Sequence, residues 1–346
     1  HAFSLAPRTD ISPETYAYPK LLTVLDGAMT VQAGRTAFFL SQGNSLIVPL
    51  GVAFGVHTES GAIYTELSTK EDLIMNPISL LHKEAPLIHC ITHPIVVNDC
   101  ANAVLALGAR PIMAEHPKEA ASIAQIARSL TVSLGNITDA RAESIFLAGN
   151  VRPAVIDLVG ITCSDFRMKL ARRFLEECRP AVIKGNVSEI RAIAGAGFHN
   201  QGIDVSREDA VTKDDPMAQF RLARLMKEIS DRTQAVVAAS GEVDIIVSPQ
   251  DDKAYFLENG SPSMARITGT GCMLTCIMGT FMAVVSPLEA AVCGAAVLGI
   301  AGERADASKG LGTYHISLLD QLSLMTDETL KSEIRLHSVD LSSTAS

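Results

Sequence analysis

The sequence predicts two folded units in one chain, a small all-β module followed by an α/β domain with a largely parallel sheet. Three observations carry this. At 346 residues the chain is long for a single core, and 47% apolar content excludes disorder. Residues 21–25, 29–32, 37–40 and 45–48 are short β-type runs, punctuated by Asp26-Gly27, Ala33-Gly34, Gln42-Gly43-Asn44 and Pro49-Leu50-Gly51. That spacing suggests a small barrel or sandwich. From Pro86 onward, apolar strand-like runs alternate with amphipathic helices, the grammar of a parallel sheet covered by helices.

In that second region the predicted strands 154–157, 181–184, 235–239 and 245–247 are short, nearly all apolar, and end at polar residues or glycine. Residues 217–231 read as a helix, because Phe220, Leu222, Leu225, Met226 and Ile229 recur at helical spacing. Ligands of such sheets bind beyond the carboxyl ends of the strands. The residues found there are chemically rich: Asp157 with Gly160, Lys184-Gly185-Asn186 with Glu189, and Ser240-Gly241-Glu242.

Bulk properties narrow the partners. A net charge of −9, without a Lys/Arg run, argues against nucleic acid and favours a small ligand. The seven cysteines include neither a CxxC pair nor a zinc pattern, which fits reduced thiols in a cytoplasm. The chain begins His1-Ala2-Phe3 without a methionine or a signal segment, as a trimmed product would. Residues 267–288 carry no charge, but glycines at 269, 271 and 279 and Pro287 spoil a membrane span, so a buried helix pair is expected and no membrane partner.

The stretch Thr268-Gly269-Thr270-Gly271-Cys272 precedes that helix pair. Its glycines allow backbone shapes closed to other residues, and a helix starting near Cys272 would aim its free N–H groups and positive dipole end into the turn. An anion belongs there. A bare G-x-G also fits a plain turn into a core helix, and neither a Rossmann fingerprint nor a P-loop is present. The strand-end residues add what a phosphate site needs. Asp157 and Glu189 could hold Mg²⁺ directly or through water, Lys184 offers a cation for nucleotide phosphate, and Ser240 a hydroxyl donor. Together they favour phosphoryl transfer.

Residues 86–334 resemble the hydroxyethylthiazole kinases of the ribokinase-like superfamily. The resemblance is carried in order by "PLIHCITHPIVVNDCANAVLALGARPIMAEHPKEA", "VIDLVG", "VIKGNVSEI", "ASGEVD", "ITGTGC" and "KGLGTYHISLLDQLS". It implies a three-layer ribokinase-like domain that transfers the ATP γ-phosphate to the primary alcohol of 4-methyl-5-(2-hydroxyethyl)thiazole in thiamine salvage. It also implies Mg²⁺ and a cytoplasmic homotrimer with active sites between subunits. By the same resemblance Met113 contacts the thiazole and Gly269 the substrate hydroxyl. Residues 268–271 (Thr268, Gly269, Thr270 and Gly271) form the anion hole, Lys184, Ser240 and Asn186 face ATP, and Asp157 and Glu189 organise Mg²⁺.

Departures from the family's pattern are informative. Lys184 stands where many members have arginine, which loses the bidentate fork, and Ser240 where many have threonine. Residues 158–164 replace the family's DPVG-type turn and lose its proline. His93 stands where asparagine is common and reads as a packed or surface residue. Cys272 occupies the position at which related sugar kinases place a catalytic aspartate. A helix N-terminus should lower its thiol pKa, and it either takes the alcohol proton or orients the hydroxyl. Cys276 and Cys293 read as packing residues.

In front, "LLTVLDGAMTVQAG" and "SQGNSLIVPLGVAFGVHT" resemble the cupin pattern. The family's metal-binding histidine positions are Tyr16, Tyr18 and Phe54 here, and His57 is off register, so a degenerate module for binding or oligomerisation is expected. The resulting division is residues 1–72 cupin-like, 73–85 linker, 86–336 kinase and 337–346 polar tail. Two alternatives stay open: another ribokinase-like kinase acting on a hydroxymethylpyrimidine or sugar alcohol, and a non-catalytic sensor of a thiamine precursor.

Overall fold

The computed structural model describes residues 2–14, 20–48, 53–67, 74–195 and 211–342. The chain divides into two compact units, His1–Asp72 and Leu73–Ser346. The expected Pro49-Leu50-Gly51 turn and the positions of Tyr16 and Tyr18 lie outside the described residues.

The front unit holds strands β1 (Ala2–Leu5), β2 (Thr9–Glu14), β3 (Lys20–Ala33), β4 (Thr36–Ser41), β5 (Ser45–Val48), β6 (Phe54–Thr58) and β7 (Ala62–Leu67), all paired antiparallel. The first half of β3 pairs with β5 and β7, the second half with β4 and β6, so two small layers share one strand. Leu22, Val24, Met29, Val31, Leu40, Val48 and Val56 form their common core. The Asp26-Gly27 pair, read above as a turn, instead lies inside the continuous strand β3. The register shifts between Val24 and Asp26, Gly27 sits at φ 78°, and a Cβ there would press on the Gly61 carbonyl at 2.4 Å. The expected chain reversal is absent, and a glycine bulge bends the continuous strand instead. His57 is half-exposed and faces carboxylates, with Nε2 3.1 Å from Glu59 and Nδ1 3.9 Å from Asp10. Phe54 is buried in the core.

The second unit runs α1 (Pro77–Glu84), β8 (Leu87–Ile91), α2 (Val97–Ala106), β9 (Arg110–Ile112), α3 (Pro117–Ile126), β10 (Ser129–Ser133), α4 (Asp139–Gly149), β11 (Ala154–Asp157), α5 (Asp165–Cys178), β12 (Val182–Asn186) and α6 (Val187–Ala194). It continues through α7 (Pro216–Thr233), β13 (Val236–Ser240), β14 (Asp244–Val247), β15 (Lys253–Leu257), α8 (Thr270–Met282), α9 (Pro287–Arg304), α10 (Leu311–Ser323), α11 (Asp327–Glu333) and β16 (Leu336–Asp340). Nine strands form one sheet in the order β16-β15-β14-β13-β12-β11-β10-β8-β9, parallel from β13 to β9 and antiparallel beyond.

Strand alternation divides the core in two. Val155, Val182, Val236 and Ala238 face α1, α2 and α8 to α11, whereas Ile156, Ile183, Val237 and Ala239 face α3 to α7. This is the three-layer α/β arrangement the sequence predicts. The uncharged stretch 267–288 supplies α8 and the start of α9, a buried helix pair, and among the described residues no helix is long and apolar enough to cross a membrane.

Two boundaries differ from the sequence reading. The stretch read as linker contains α1, whose Ile78 and Leu81 join Ile74 in the core of the second unit. The stretch read as a polar tail begins with an edge strand: β16 pairs with β15 through Asp340, and its exposed polar positions leave little hydrophobic signal to announce it.

Candidate active site

The strands carry their chemistry into one place by register. Asp157 ends β11 and pairs directly with Lys184 of β12, while Asn186 of β12 pairs with Ser240 of β13. Strands β12 and β13 extend to Asn186 and Ser240, so Lys184 lies inside its strand and not after it. Asp157 and Lys184 stand two residues beyond Val155 and Val182, which turns both side chains toward the α8 face.

There Lys184 Nζ lies 3.3 Å from Asp157 Oδ1, with both side chains buried. Burial works against the ammonium charge, but Asp157 and Glu189 beside it hold its pKa above the usual lysine value. The other carboxylate oxygen of Asp157, Oδ2, is buried with no protein hydrogen-bond partner. A lone pair left unmet in the interior costs on the order of 1–3 kcal/mol, so this oxygen is open to a further donor or cation.

Helix α8 opens above this pair. Gly269 holds its N-terminus at φ 90°, where a Cβ would strike Val96 at 2.5 Å, and the Thr270 hydroxyl ties the turn to the Met264 carbonyl at 3.2 Å. Thr268 is exposed and Gly269, Thr270 and Gly271 half-buried. A Cβ on Gly271 would lie 3.1 Å from Lys184 Nζ, which locates the ammonium group at the first turn of the helix. A buried cation and a helix N-terminus therefore converge, and neither favours the other unless an anion lies between.

Cys272 follows in that first turn. It is buried, and its Sγ lies 3.4 Å from His93 Nε2. Its pKa moves opposite to the expectation from the helix end alone. Burial, and then the Asp157 charge, push the thiol up strongly against the pull of Lys184. The group is a thiol at neutral pH. His93 is buried as well, packed on Gly135, where a Cβ would meet its ring at 2.4 Å. Burial lowers its pKa, so the imidazole is neutral, in keeping with a packed residue, although one that touches the site.

Glu189 and Asn186 are committed locally. The Glu189 carboxylate accepts from Gly160 N–H at 2.8 Å and from Asn186 N–H at 2.7 Å, while the Asn186 side chain accepts from Glu189 N–H at 2.9 Å, a complete capping box for α6. Burial and the neighbouring Asp157 charge raise the Glu189 carboxyl to about 7. Its visible role is to pin the turn that follows Asp157 to the start of α6.

The Ser240 hydroxyl donates a long hydrogen bond, 3.4 Å, to the Gly185 carbonyl and lines a recess together with Lys184, Asp244 and Leu274. Met113 stands just past edge strand β9 at the same end of the sheet, three strand spacings, roughly 14 Å, from β11. The structure thus brings together Asp157, Lys184, Glu189, Gly269, Gly271 and Cys272, with Ser240 alongside and Met113 apart.

Sequence reasoning did not single out two residues here. Asp244, four residues after Ser240, accepts from Gly241 N–H at 2.9 Å, and burial raises its carboxyl to about 7. Its signal was present in the SGEVD string. Arg167, in the first turn of α5, lays its guanidinium over Gly160, and no local pattern announces that.

A sheet-end carboxylate, a buried lysine and a glycine turn at a helix N-terminus define a phosphotransferase-type site on a three-layer α/β scaffold. The sequence model of the hydroxyethylthiazole kinase family matches residues 78–328, and the chain belongs to that family. It is 43% identical over 258 residues to hydroxyethylthiazole kinase 2 of Clostridium botulinum strain Hall, covering 73% of this chain and 96% of that one. It is 39% identical over 280 residues to hydroxyethylthiazole kinase 1 of Methanosphaera stadtmanae, covering 76% and 96%. A solved hydroxyethylthiazole kinase structure from Pyrococcus horikoshii superimposes with a TM-score of 0.68 at 27% identity, over 78% of this chain and 99% of that one.

Proposed function

We propose that the chain transfers the γ-phosphate of ATP to the primary alcohol of 4-methyl-5-(2-hydroxyethyl)thiazole, a salvage step toward thiamine. The observation that carries the reading is the Asp157–Lys184 pair, held by strand register beneath the glycine-lined N-terminus of α8 with Cys272 in its first turn.

In this reading the Lys184 ammonium and the N–H groups of residues 269–271 receive the phosphates. The Ser240 hydroxyl sits on the nucleotide side, and Asn186 shapes that wall as the cap of α6. Mg²⁺ fits the site's donor set, because Asp157 Oδ2 is buried and unpartnered. Asp157 would hold it, with Glu189 fixing the adjoining turn, and when bound it neutralises triphosphate charge. Gly269 faces the substrate hydroxyl, and Cys272, as a thiol, aligns it. Phosphoryl transfer through a loose transition state depends mainly on positioning and charge stabilisation, so a neutral thiol suffices.

Met113 lies at the sheet edge, and we assign it to the thiazole pocket of a neighbouring copy in a cytoplasmic homotrimer. The front unit, without the usual cupin ligand set, serves binding or oligomerisation. The testing experiment offers purified protein ATP, Mg²⁺ and, separately, the thiazole alcohol, a hydroxymethylpyrimidine and a sugar alcohol, and follows phosphorylated product. Turnover of the thiazole, lost in Asp157→Asn, is expected. Turnover of the pyrimidine or the sugar alone would sink the assignment.

A further inference from the structure

We propose that Arg167 binds the γ-phosphate of ATP, supplying the forked cation that position 184 lacks. The inference rests on the kinase reading and adds a residue to it.

Arg167 stands in the first turn of α5, its N–H held by the capping Ser164 hydroxyl at 3.2 Å. A Cβ placed on Gly160 would come 2.2 Å from Arg167 Nη1 and 3.5 Å from Cζ, so the guanidinium covers the Gly160 turn. That turn begins three residues after Asp157, and its N–H is fixed by Glu189 at 2.8 Å. The guanidinium is therefore laid onto the lip of the site by the segment that carries the site's carboxylate. Gly160 adopts φ 74° and leaves the space that the guanidinium fills.

Among the described residues this guanidinium makes no hydrogen bond or ion pair, in contrast to Arg141, which binds Glu115 at 2.9 Å, and Arg304, which binds Glu333 at 2.8 Å. A cation in the first turn of a helix also faces the positive end of the helix dipole, which disfavours it. An unpaired, half-buried cation held against a like-signed dipole is stabilised when an anion arrives. Burial, with Arg141 and Arg167 after it, lowers the pKa of His93, which touches Cys272, against the pull of Asp157, so Arg167 lies within electrostatic reach of that residue.

The chemistry favours a phosphate. Lys184 is a single-point cation already engaged by Asp157, whereas a guanidinium offers two parallel N–H donors to two oxygens of one phosphoryl group. The γ-phosphate is the group of ATP that must lie beside Cys272 and the substrate hydroxyl, and the turn under Arg167 is tied to Glu189, whose carboxyl feels the Asp157 charge. Lys184 then neutralises the triphosphate from the sheet side, and Arg167 clasps its end from the α5 side.

The test measures dissociation constants of Mg·ATP and Mg·ADP, without thiazole, for the full chain and its R167Q and R167K variants. R167Q is expected to weaken ATP at least about tenfold, as loss of a charge-assisted bidentate contact predicts, and ADP less than about twofold. R167K is expected to fall between wild type and R167Q for ATP. Retained ADP affinity shows that the variant is folded. Equal losses for ATP and ADP in both variants, or no loss for either, would overturn the inference. A wild-type chain that binds neither nucleotide would overturn the kinase reading and this inference with it.

Discussion

Cys272 shows how far a residue's chemistry depends on what covers it. Its place in the first turn of α8 argues for a lowered pKa, but burial and the Asp157 carboxylate outweigh the dipole and keep the thiol protonated. Iodoacetamide at pH 8 should therefore modify exposed Cys163 well before Cys272, as followed by peptide mass spectrometry; the reverse order would show a thiolate. Cys272→Ala should lower kcat by about 10–100-fold with a smaller change in KM, the signature of lost positioning, and Cys272→Ser should recover part of it. Full kcat in the alanine variant would leave the thiol without a role in the reaction. Asp244 supplies a test of pH linkage. Its folded pKa of about 7 lies above the unfolded value of ~3.9, so its contribution to stability is present below pH ~4 and lost as pH rises through about 7. Asp244→Asn keeps an acceptor for Gly241 N–H and removes the titration. The Tm difference, variant minus wild type, should grow from pH 5 to pH 8, and a constant difference would count against the burial argument. Asp157, Ser240 and Cys272 were legible as candidates because each sits at a strand or helix end that periodicity locates, whereas Lys184, read as following its strand, lies inside β12. The direction of the Cys272 shift was not legible, because burial is supplied by His93 and residues distant in the chain.

At the scale of elements, α8 is the part that positions the site, and its fit on the sheet is set by glycine. A Cβ at Gly279 would lie 2.0 Å from the Thr131 methyl of β10, and one at Gly294 of α9 would meet Met278 at 2.7 Å, so small residues let α8 lie close to both neighbours. Thr131 is buried and β-branched and has little freedom to yield. Gly279→Ala should therefore cost about 1–3 kcal/mol by overpacking, read as a lowered Tm. It should also reduce kcat, because a displaced α8 carries Gly269 and Cys272 away from Lys184. A variant of unchanged Tm and activity would show that the helix can shift without consequence. The helix itself was predictable from its uncharged run, and β11 from four apolar-to-polar residues that coincide with the strand found. The continuity of β3 through Asp26-Gly27 was not, because an Asp-Gly pair signals a reversal locally and only pairing with β7 and β6 converts it into a bulge. The place of Arg167 is not legible in the sequence for a related reason: the fold-back that lays its guanidinium over Gly160 leaves no periodic trace.

The whole molecule joins a unit that matches complete relatives to one that they do not share. The curated relatives are covered over 96% of their length by 73–76% of this chain, and the Pyrococcus structure over 99% of its length. The kinase unit thus spans what those proteins use in full. Where it begins is a physical question, and α1 answers it. Ile74, Ile78 and Leu81 are buried in the core of the second unit, and the Asp327 carboxylate accepts from the Ile78 and Ser79 N–H groups at 2.9 and 3.0 Å. A chain starting at Leu73 keeps these contacts. One starting at Pro86 loses three apolar side chains, each worth about 1.5–3 kcal/mol, and strands Asp327. The first truncation should retain thiazole phosphorylation with a Tm close to that of the kinase unit in the full chain. The second should be markedly less stable or insoluble. Measuring activity, Tm and assembly size of both truncations separates the two roles of the segment before residue 86. Loss of activity in the Leu73 truncation with an unchanged Tm would show that the front unit takes part in catalysis, and loss of the oligomer alone would assign it to assembly.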